Sequence, residues 1–280
     1  VQNAYMEETM QHRYSLAHLT ALGLTPPELV QAAADAGYQY VGLRLNRTTP
    51  EETLYDLAND RALMRETKAR LADTGVQVWD IEVARMDPAR DHLHYRDFLE
   101  AGAELGARHV VAQLPDPDRH RATDRFGSLC DLAKPLNLNV SLEFVSWTET
   151  PGLVEAARVL REVNRSNASI LIDLLHFDRS FSSKEFLRTL PSGWFRWAQV
   201  CDVPAAHPPD LAGLIYHGRR ERLFPGEGGI DVKGILSALP DDIVYALEIP
   251  GEPSVAKMGY QKYVRRAVDV SRQFLDQSEA

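Results

Sequence analysis

Short runs of apolar and β-branched residues alternate along this chain with longer segments in which apolar residues recur at helical spacing. The runs predict strands at residues 14–19, 40–45, 76–83, 109–113, 139–144, 169–173, 195–201 and 243–249. Between them, segments such as PPELVQAAADAG, RALMRETKARLADTG and YRDFLEAGAELGA place their apolar residues three and four apart, as helices packed on one face do. Three helices run into glycine just before the next strand, at Gly37, Gly75 and Gly106. That is the C-cap position, where glycine alone enters the left-handed conformation without penalty. Thr25-Pro26-Pro27-Glu28 reads as an N-cap followed by proline in the first turn. The one long stretch without pattern is 202–229, rich in Pro, Gly and Arg, and is read as a functional lid or a disordered loop.

Eight strands, each followed by a helix, predict a closed parallel α/β barrel of the (β/α)8 (TIM) type, a single domain over residues 14–280. Residues 1–13 carry no pattern and are set apart as an arm or an expression remnant. A doubly wound open sheet is the second choice, but no glycine-rich phosphate loop follows the first strand.

Composition narrows the partners. With 44% hydrophobic and 25% charged residues the chain can bury a sizeable core. Forty acidic against 31 basic side chains give a net charge of -9, which offers no help in approaching nucleic acid or an anionic membrane. Neither is expected as a partner. No apolar run approaches the roughly 20 residues of a membrane span, and no signal peptide opens the sequence. Cys130 and Cys201 form no disulfide framework or zinc knuckle, so a reducing cytoplasm is expected.

In a parallel barrel the reaction occurs where the C-terminal ends of the strands converge. The polar residues at those ends are Glu143 on strand five (NVSLEFVSW), Asp173 on strand six (SILIDLLHFD), Gln199 on strand seven (FRWAQVCD) and Glu248 on strand eight (IVYALEIPGE). Each closes a nearly uninterrupted apolar run, and an unpaired carboxylate at the edge of such an interior is costly. Three together repel unless a cation neutralises them, and a hard divalent ion with oxygen ligands does so. A lone strand-end Glu can also serve as a helix cap or an arginine partner. His18, Arg44 and Glu82 stand at other strand ends, and the pattern leaves open whether each lines the pocket or joins a surface ion pair.

The segments LEFVSW, LIDLLHFDRS, QVCDVPA, RLFPGEGGIDV and ALEIPGE resemble the xylose isomerase-like barrel superfamily of sugar phosphate isomerases and epimerases, over about residues 14–274. The Asp-x-x-His pair and the Pro-Gly-Glu-Gly loop ahead of a helix are its more specific marks. The resemblance implies that Glu143, Asp173, Gln199 and Glu248 together hold one divalent ion, Mg²⁺ or Mn²⁺ before Co²⁺ or Zn²⁺. Sugar epimerases of this group usually carry His at the third position. Gln199 is instead what the related 3-dehydroshikimate dehydratases have, and its amide oxygen is a harder, neutral ligand.

The resemblance further implies chemistry that begins with proton removal beside a carbonyl and passes through an enediolate, with Glu143 and Glu248 as acid/base residues. It places His176 against the substrate, though a histidine there could instead satisfy a loop carbonyl. Arg222, ahead of the Pro-Gly-Glu-Gly loop and beside Arg219 and Arg220, is the candidate for a substrate phosphate or carboxylate. Glu227 is read as bracing that loop. The expected activity is isomerisation or epimerisation of a sugar-like keto or polyhydroxy substrate, itself carboxylated or phosphorylated in some versions, by a homodimer or homotetramer. The alternative is a dehydratase, in which the same enolate expels a β-hydroxyl. Apurinic-site endonucleases share the fold but need further histidines, including Asp-x-His after strand seven, where this chain has Asp202-Val203-Pro204. A non-catalytic binding protein is the last alternative.

Overall fold

The computed structural model describes residues 12–276, so the arm expected at residues 1–13 lies, up to residue 11, outside the described residues. Eight parallel strands close on themselves in sequential order: β1 (Arg13–Leu16), β2 (Tyr40–Arg44), β3 (Gln77–Arg85), β4 (His109–Gln113), β5 (Asn139–Glu143), β6 (Ala168–Asp173), β7 (Trp197–Val200) and β8 (Val244–Leu247). The ring is completed where β1 pairs with β8, Arg13 to Val244 through Leu16 to Leu247. The single-domain (β/α)8 barrel expected from the alternation is what the chain forms.

Successive side chains of a strand point to opposite faces, so each strand sends one set inward and one outward. The outward set, including Val140, Leu142, Ile170, Ile172, Ala198 and Val200, joins one large apolar core with the surrounding helices. The inward set forms a separate plug of strand residues alone: Tyr40, Trp79, Val83, Val111, Leu171, Trp197, Val244 and Ala246. Two steps beyond Leu171, Trp197 and Ala246 along their strands stand Asp173, Gln199 and Glu248. Strand periodicity therefore delivers these polar groups to the inside of the barrel, directly above an apolar floor. The ladder sets their heights, since Asp173 pairs with Gln199 and Gln199 with Ala246.

The helix signals are realised locally. Pro26–Ala36 starts at Thr25, whose backbone N–H donates to the Glu28 carboxylate at 2.8 Å, and ends at Gly37 with φ of 82°. Gly75 closes Arg61–Thr74 at φ 74°. The stretch 202–229, expected to be irregular, contains the helix Leu211–Arg220. Asp210 caps it by accepting from the Gly213 amide at 2.8 Å. Prolines before it and glycines within it mask a short helix whose surroundings are mostly solvent. Only Gly218 of its ten residues is buried. No helix among the described residues is long and apolar enough to cross a membrane.

Candidate metal and active site

Asp173 shows how local sequence builds the site. It is at once the last residue of β6 and the N-cap of the helix Leu174–Arg179, its Oδ1 accepting the His176 backbone N–H at 3.0 Å. The cap fixes the carboxylate, and the same turn carries the His176 side chain back over the barrel mouth. Glu143 closes β5, with Oε2 accepting from Gln113 Nε2 at 2.7 Å and Oε1 lying 3.9 Å from His176 Nε2. Ligand atoms of Glu143, Asp173 and His176 all fall within 4.8 Å of one another, and all three residues are buried. This is a buried Glu/Asp/His cluster with the spacing a divalent ion needs.

Glu248 follows β8, and its backbone is pinned on both sides. The Thr20 hydroxyl donates to Leu247 O and accepts the Ile249 N–H, each at 2.8 Å. Its Oε1 accepts from Gln199 Nε2 at 2.9 Å, which turns the Gln199 amide oxygen away, buried and without a hydrogen-bond partner. A buried, unpaired acceptor is costly, and an amide oxygen is a fitting ligand for a hard cation. The donor set thus fits a divalent ion. Arg222 lies among the carboxylates, Nη1 at 2.7 Å from Asp173 Oδ2 and Nη2 at 3.0 Å from Glu248 Oε2, and its Nε donates to Gly218 O at 2.9 Å.

Burial pushes the Glu143 carboxyl up to about 7, with the Asp173 charge adding to the effect. Burial likewise drives Glu248 well above the usual carboxylate range, although Arg222 opposes it. Burial works against the Asp173 charge too, but there the Arg222 guanidinium, His176 and the helix amide prevail and hold the carboxyl below its usual value. His176 is pushed down to about 4 by burial, so its ring is neutral at pH 7. Its Nδ1 faces the Ser146 N–H and hydroxyl at 3.4 and 3.2 Å. Accepting the amide proton there leaves the hydrogen on Nε2, the nitrogen turned toward Glu143.

The other strand-end candidates divide. Arg44 and Glu82 are buried in the wall of the same cavity, with Arg44 Nε and Nη2 donating to Glu82 Oε2 at 3.0 and 2.8 Å. Arg44 also lies 3.5 Å from Glu52 and 3.9 Å from Glu248. His18 is not brought to the cavity. Its Nδ1 accepts the Arg44 backbone N–H at 3.0 Å and its Nε2 donates to Leu24 O at 2.9 Å, a fully satisfied ring stacked on Tyr55. Glu227 pairs with Arg266 at 3.2 Å on the surface. The Pro-Gly-Glu-Gly loop is held instead by buried Asp202, whose carboxylate accepts the N–H groups of Gly226, Gly228 and Ile230 at 3.0–3.1 Å.

Gln113, Arg85 and Trp147 were not singled out in the sequence, and Arg219 was noted only as a neighbour of Arg222. Gln113 orients Glu143, while Trp147, Arg85 and Arg219 complete the wall of the cavity above it. Strand-end position was the available cue for Gln113 and Arg85. The contribution of Trp147 and Arg219 depends on loops that meet only in the folded chain, where Gly218 lies against the Trp147 ring and an added Cβ would sit 2.5 Å from it.

A closed parallel barrel thus gathers buried acidic donors, spaced as a divalent ion needs, at its C-terminal mouth. The chain belongs to the xylose isomerase-like TIM barrel family, whose sequence pattern matches residues 30–273. Inosose isomerase of Bacillus subtilis is 26% identical over 160 residues, 52% of this chain and 54% of that protein. The 3-dehydroshikimate dehydratase of Pseudomonas aeruginosa is 24% identical over 238 residues, 80% of this chain and 35% of that protein. The chain thus spans about half the length of the isomerase it matches and about a third of the dehydratase. Among solved structures, the IolI protein with a bound zinc atom superposes with a TM-score of 0.76 at 20% identity, covering 95% of this chain and 100% of that one.

Proposed function

We propose that this protein isomerises or epimerises a small keto-polyol by moving a proton on a carbon beside the carbonyl, with one divalent ion held by Glu143, Asp173, Gln199 and Glu248. The observation that carries the reading is geometric: ligand atoms of Glu143, Asp173 and His176 lie within 4.8 Å of one another, beside a buried Gln199 oxygen that has no hydrogen-bond partner. A bound divalent ion supplies Lewis acidity toward the carbonyl and hydroxyl oxygens of the substrate. The chain's own residues do the rest. Glu143 takes the proton, as a buried carboxylate held at the mouth beside the reacting carbon can do. Gln113 fixes one oxygen of that carboxylate and leaves the other to face the cavity. Glu248, just past the end of β8, is the complementary acid. His176 presents Nε2–H to a substrate oxygen, and Arg222 limits the repulsion between Asp173 and Glu248.

Gln199 supports a second reading as a dehydratase, in which the same carbanion expels a β-hydroxyl, in line with the match to a 3-dehydroshikimate dehydratase over most of the chain. The free, buried thiols of Cys130 and Cys201 support a reducing, cytoplasmic setting, and a homodimer or homotetramer is retained as the expected assembly. The test is to load the protein with Mn²⁺ or Mg²⁺ in D₂O and incubate it with inosose and with 3-dehydroshikimate. Deuterium entering beside the ketone with formation of an isomer supports the first reading. Catechol absorbance from dehydroshikimate supports the second. No exchange with any ketone tried, at full metal loading, would remove both.

A further inference from the structure

The floor and the rim of the cavity are charged oppositely. On the floor, the carboxylates of Glu82, Glu143, Asp173 and Glu248 are buried with only two guanidinium groups, Arg44 and Arg222, among them. The floor therefore calls for a cation. Two more guanidiniums, Arg85 at the end of β3 and Arg219 on the helix Leu211–Arg220, also line this cavity. Both are half-buried, and neither makes a side-chain hydrogen bond or an ion pair with any described residue. The nearby carboxylate of Glu52 is engaged elsewhere, accepting the Thr48 N–H at 2.8 Å and lying 3.5 Å from Arg44.

Arginine at the surface is solvated by default, and two such side chains on separate loops would mean little. These are not separate. Gly218 has no side chain and lets its helix settle on the Trp147 ring, which lines the same cavity. Arg222 Nε holds the Gly218 carbonyl from below at 2.9 Å. The seating of this turn places Arg219 in the wall of the cavity that Arg85 also lines. The proximity is felt electrostatically. Burial, together with Arg85 and Arg44, depresses the Arg219 guanidinium below its usual value, although Glu52 opposes the shift. A protein that brings unpaired like charges to one partly dry opening leaves a position whose natural occupant is an anion.

We infer that Arg85 and Arg219 form an oxyanion subsite at the rim of the cavity, and that the natural substrate is a keto-polyol bearing a carboxylate or phosphate group. This rests on the proposed keto-polyol site and adds to it the part of the substrate that does not react. Anchoring a remote anion positions the reacting carbon and leaves the chemistry to the floor.

The experiment is calorimetric titration of the metal-loaded protein with three unreactive ring compounds: quinate, myo-inositol 1-phosphate and neutral myo-inositol. At least one of the anions is expected to bind about 10-fold or more tightly than myo-inositol, the gain of one charge-assisted pairing. Which anion binds more tightly separates a carboxylate from a phosphate subsite. In Arg85→Met and Arg219→Met the preference falls while metal content and myo-inositol binding stay as in the unaltered protein, and Arg219→Lys recovers part of it. Equal affinity for all three compounds, or a preference that survives both methionine variants, overturns the inference. Either result leaves the proton-transfer reading standing, because that reading is decided by solvent exchange in the unaltered protein. Should a methionine variant fail to fold, raising NaCl with the unaltered protein decides the same question: the anion preference collapses with salt if the subsite exists and is indifferent to salt if it does not.

Discussion

On the β1–β4 side of the barrel mouth, His18 and Arg44 have found protein partners. His18 uses both ring nitrogens, and Arg44 sets two N–H groups on one oxygen of Glu82. On the β5–β8 side, Glu143, Asp173 and Glu248 crowd around Arg222, with Arg44 3.9 Å from Glu248, and Gln199 keeps a buried oxygen with no donor. Both sides were recruited in the same way, as inward residues near strand ends, yet the first is largely architecture and the second is open to a ligand. Strand position decides which side chains reach the mouth. Hydrogen-bond satisfaction decides which of them are available for chemistry.

The largest effect that sharpens this comparison is catalytic. Glu143→Gln keeps the shape of the side chain and removes its basicity, so turnover is expected to fall about 10³-fold in the exchange assay at matched metal loading. Retention of more than a tenth of the activity would move the base elsewhere. The next effect is on stability and separates the two sides directly. Glu82→Leu strips Arg44 of its principal partner and is expected to cost about 3 kcal/mol in urea unfolding, as breaking a buried pair does. Glu143→Gln, measured without metal, is expected to be neutral or stabilising by about 1 kcal/mol, because it removes a buried charge short of partners. Equal losses in the two variants would erase the distinction.

A smaller effect comes from pH. Burial lowers His18 to about 4 from the 6.5 of an exposed ring. Its folded pKa lies below its unfolded one, so its contribution is complete above about 6.5 and declines as the pH falls toward 4, where the unfolded chain takes up the proton first. Between pH 7 and 5 the loss is expected to be about 2 kcal/mol. His18→Asn, compared with the unaltered protein at both pH values, should flatten that dependence. An unchanged slope would mean that the ring titrates in the fold as it does in the unfolded chain. The smallest effect is at the rim. Gly218→Ala puts a methyl group 2.5 Å from the Trp147 ring. It is expected to raise KM severalfold with little change in kcat, at about 1 kcal/mol in binding. A fall in kcat alone would place that helix in the chemical step instead.

Most of the barrel was legible because its signals are local. His109–Gln113 was read to the residue, since Arg108 and the turn after Gln113 bound it sharply. Expected strands 195–201 and 243–249 ran past the observed Trp197–Val200 and Val244–Leu247, because Cys201 and Ile249 stay buried after strand pairing ends. Glu143, Asp173, Gln199 and Glu248 could be picked out as polar residues closing apolar runs, and the structure brings all four to the inside of the mouth. The helix Leu211–Arg220 was hidden by its glycines and prolines. The satisfaction of His18 was equally invisible, for it depends on Leu24 and Arg44 folding around the ring. Asp202 gave no sign of bracing the Pro-Gly-Glu-Gly loop, because its three amide donors lie 24 to 28 residues away.

The central claim is most directly tested by counting metal. Protein purified without chelator, stripped, reloaded with Mn²⁺ and dialysed should retain one ion per chain. Glu248→Ala should retain less than about a tenth of that while remaining folded, and Glu82→Leu should keep its ion to the extent that it folds. Full Mn²⁺ content in Glu248→Ala, or none in the unaltered protein, would contradict the account.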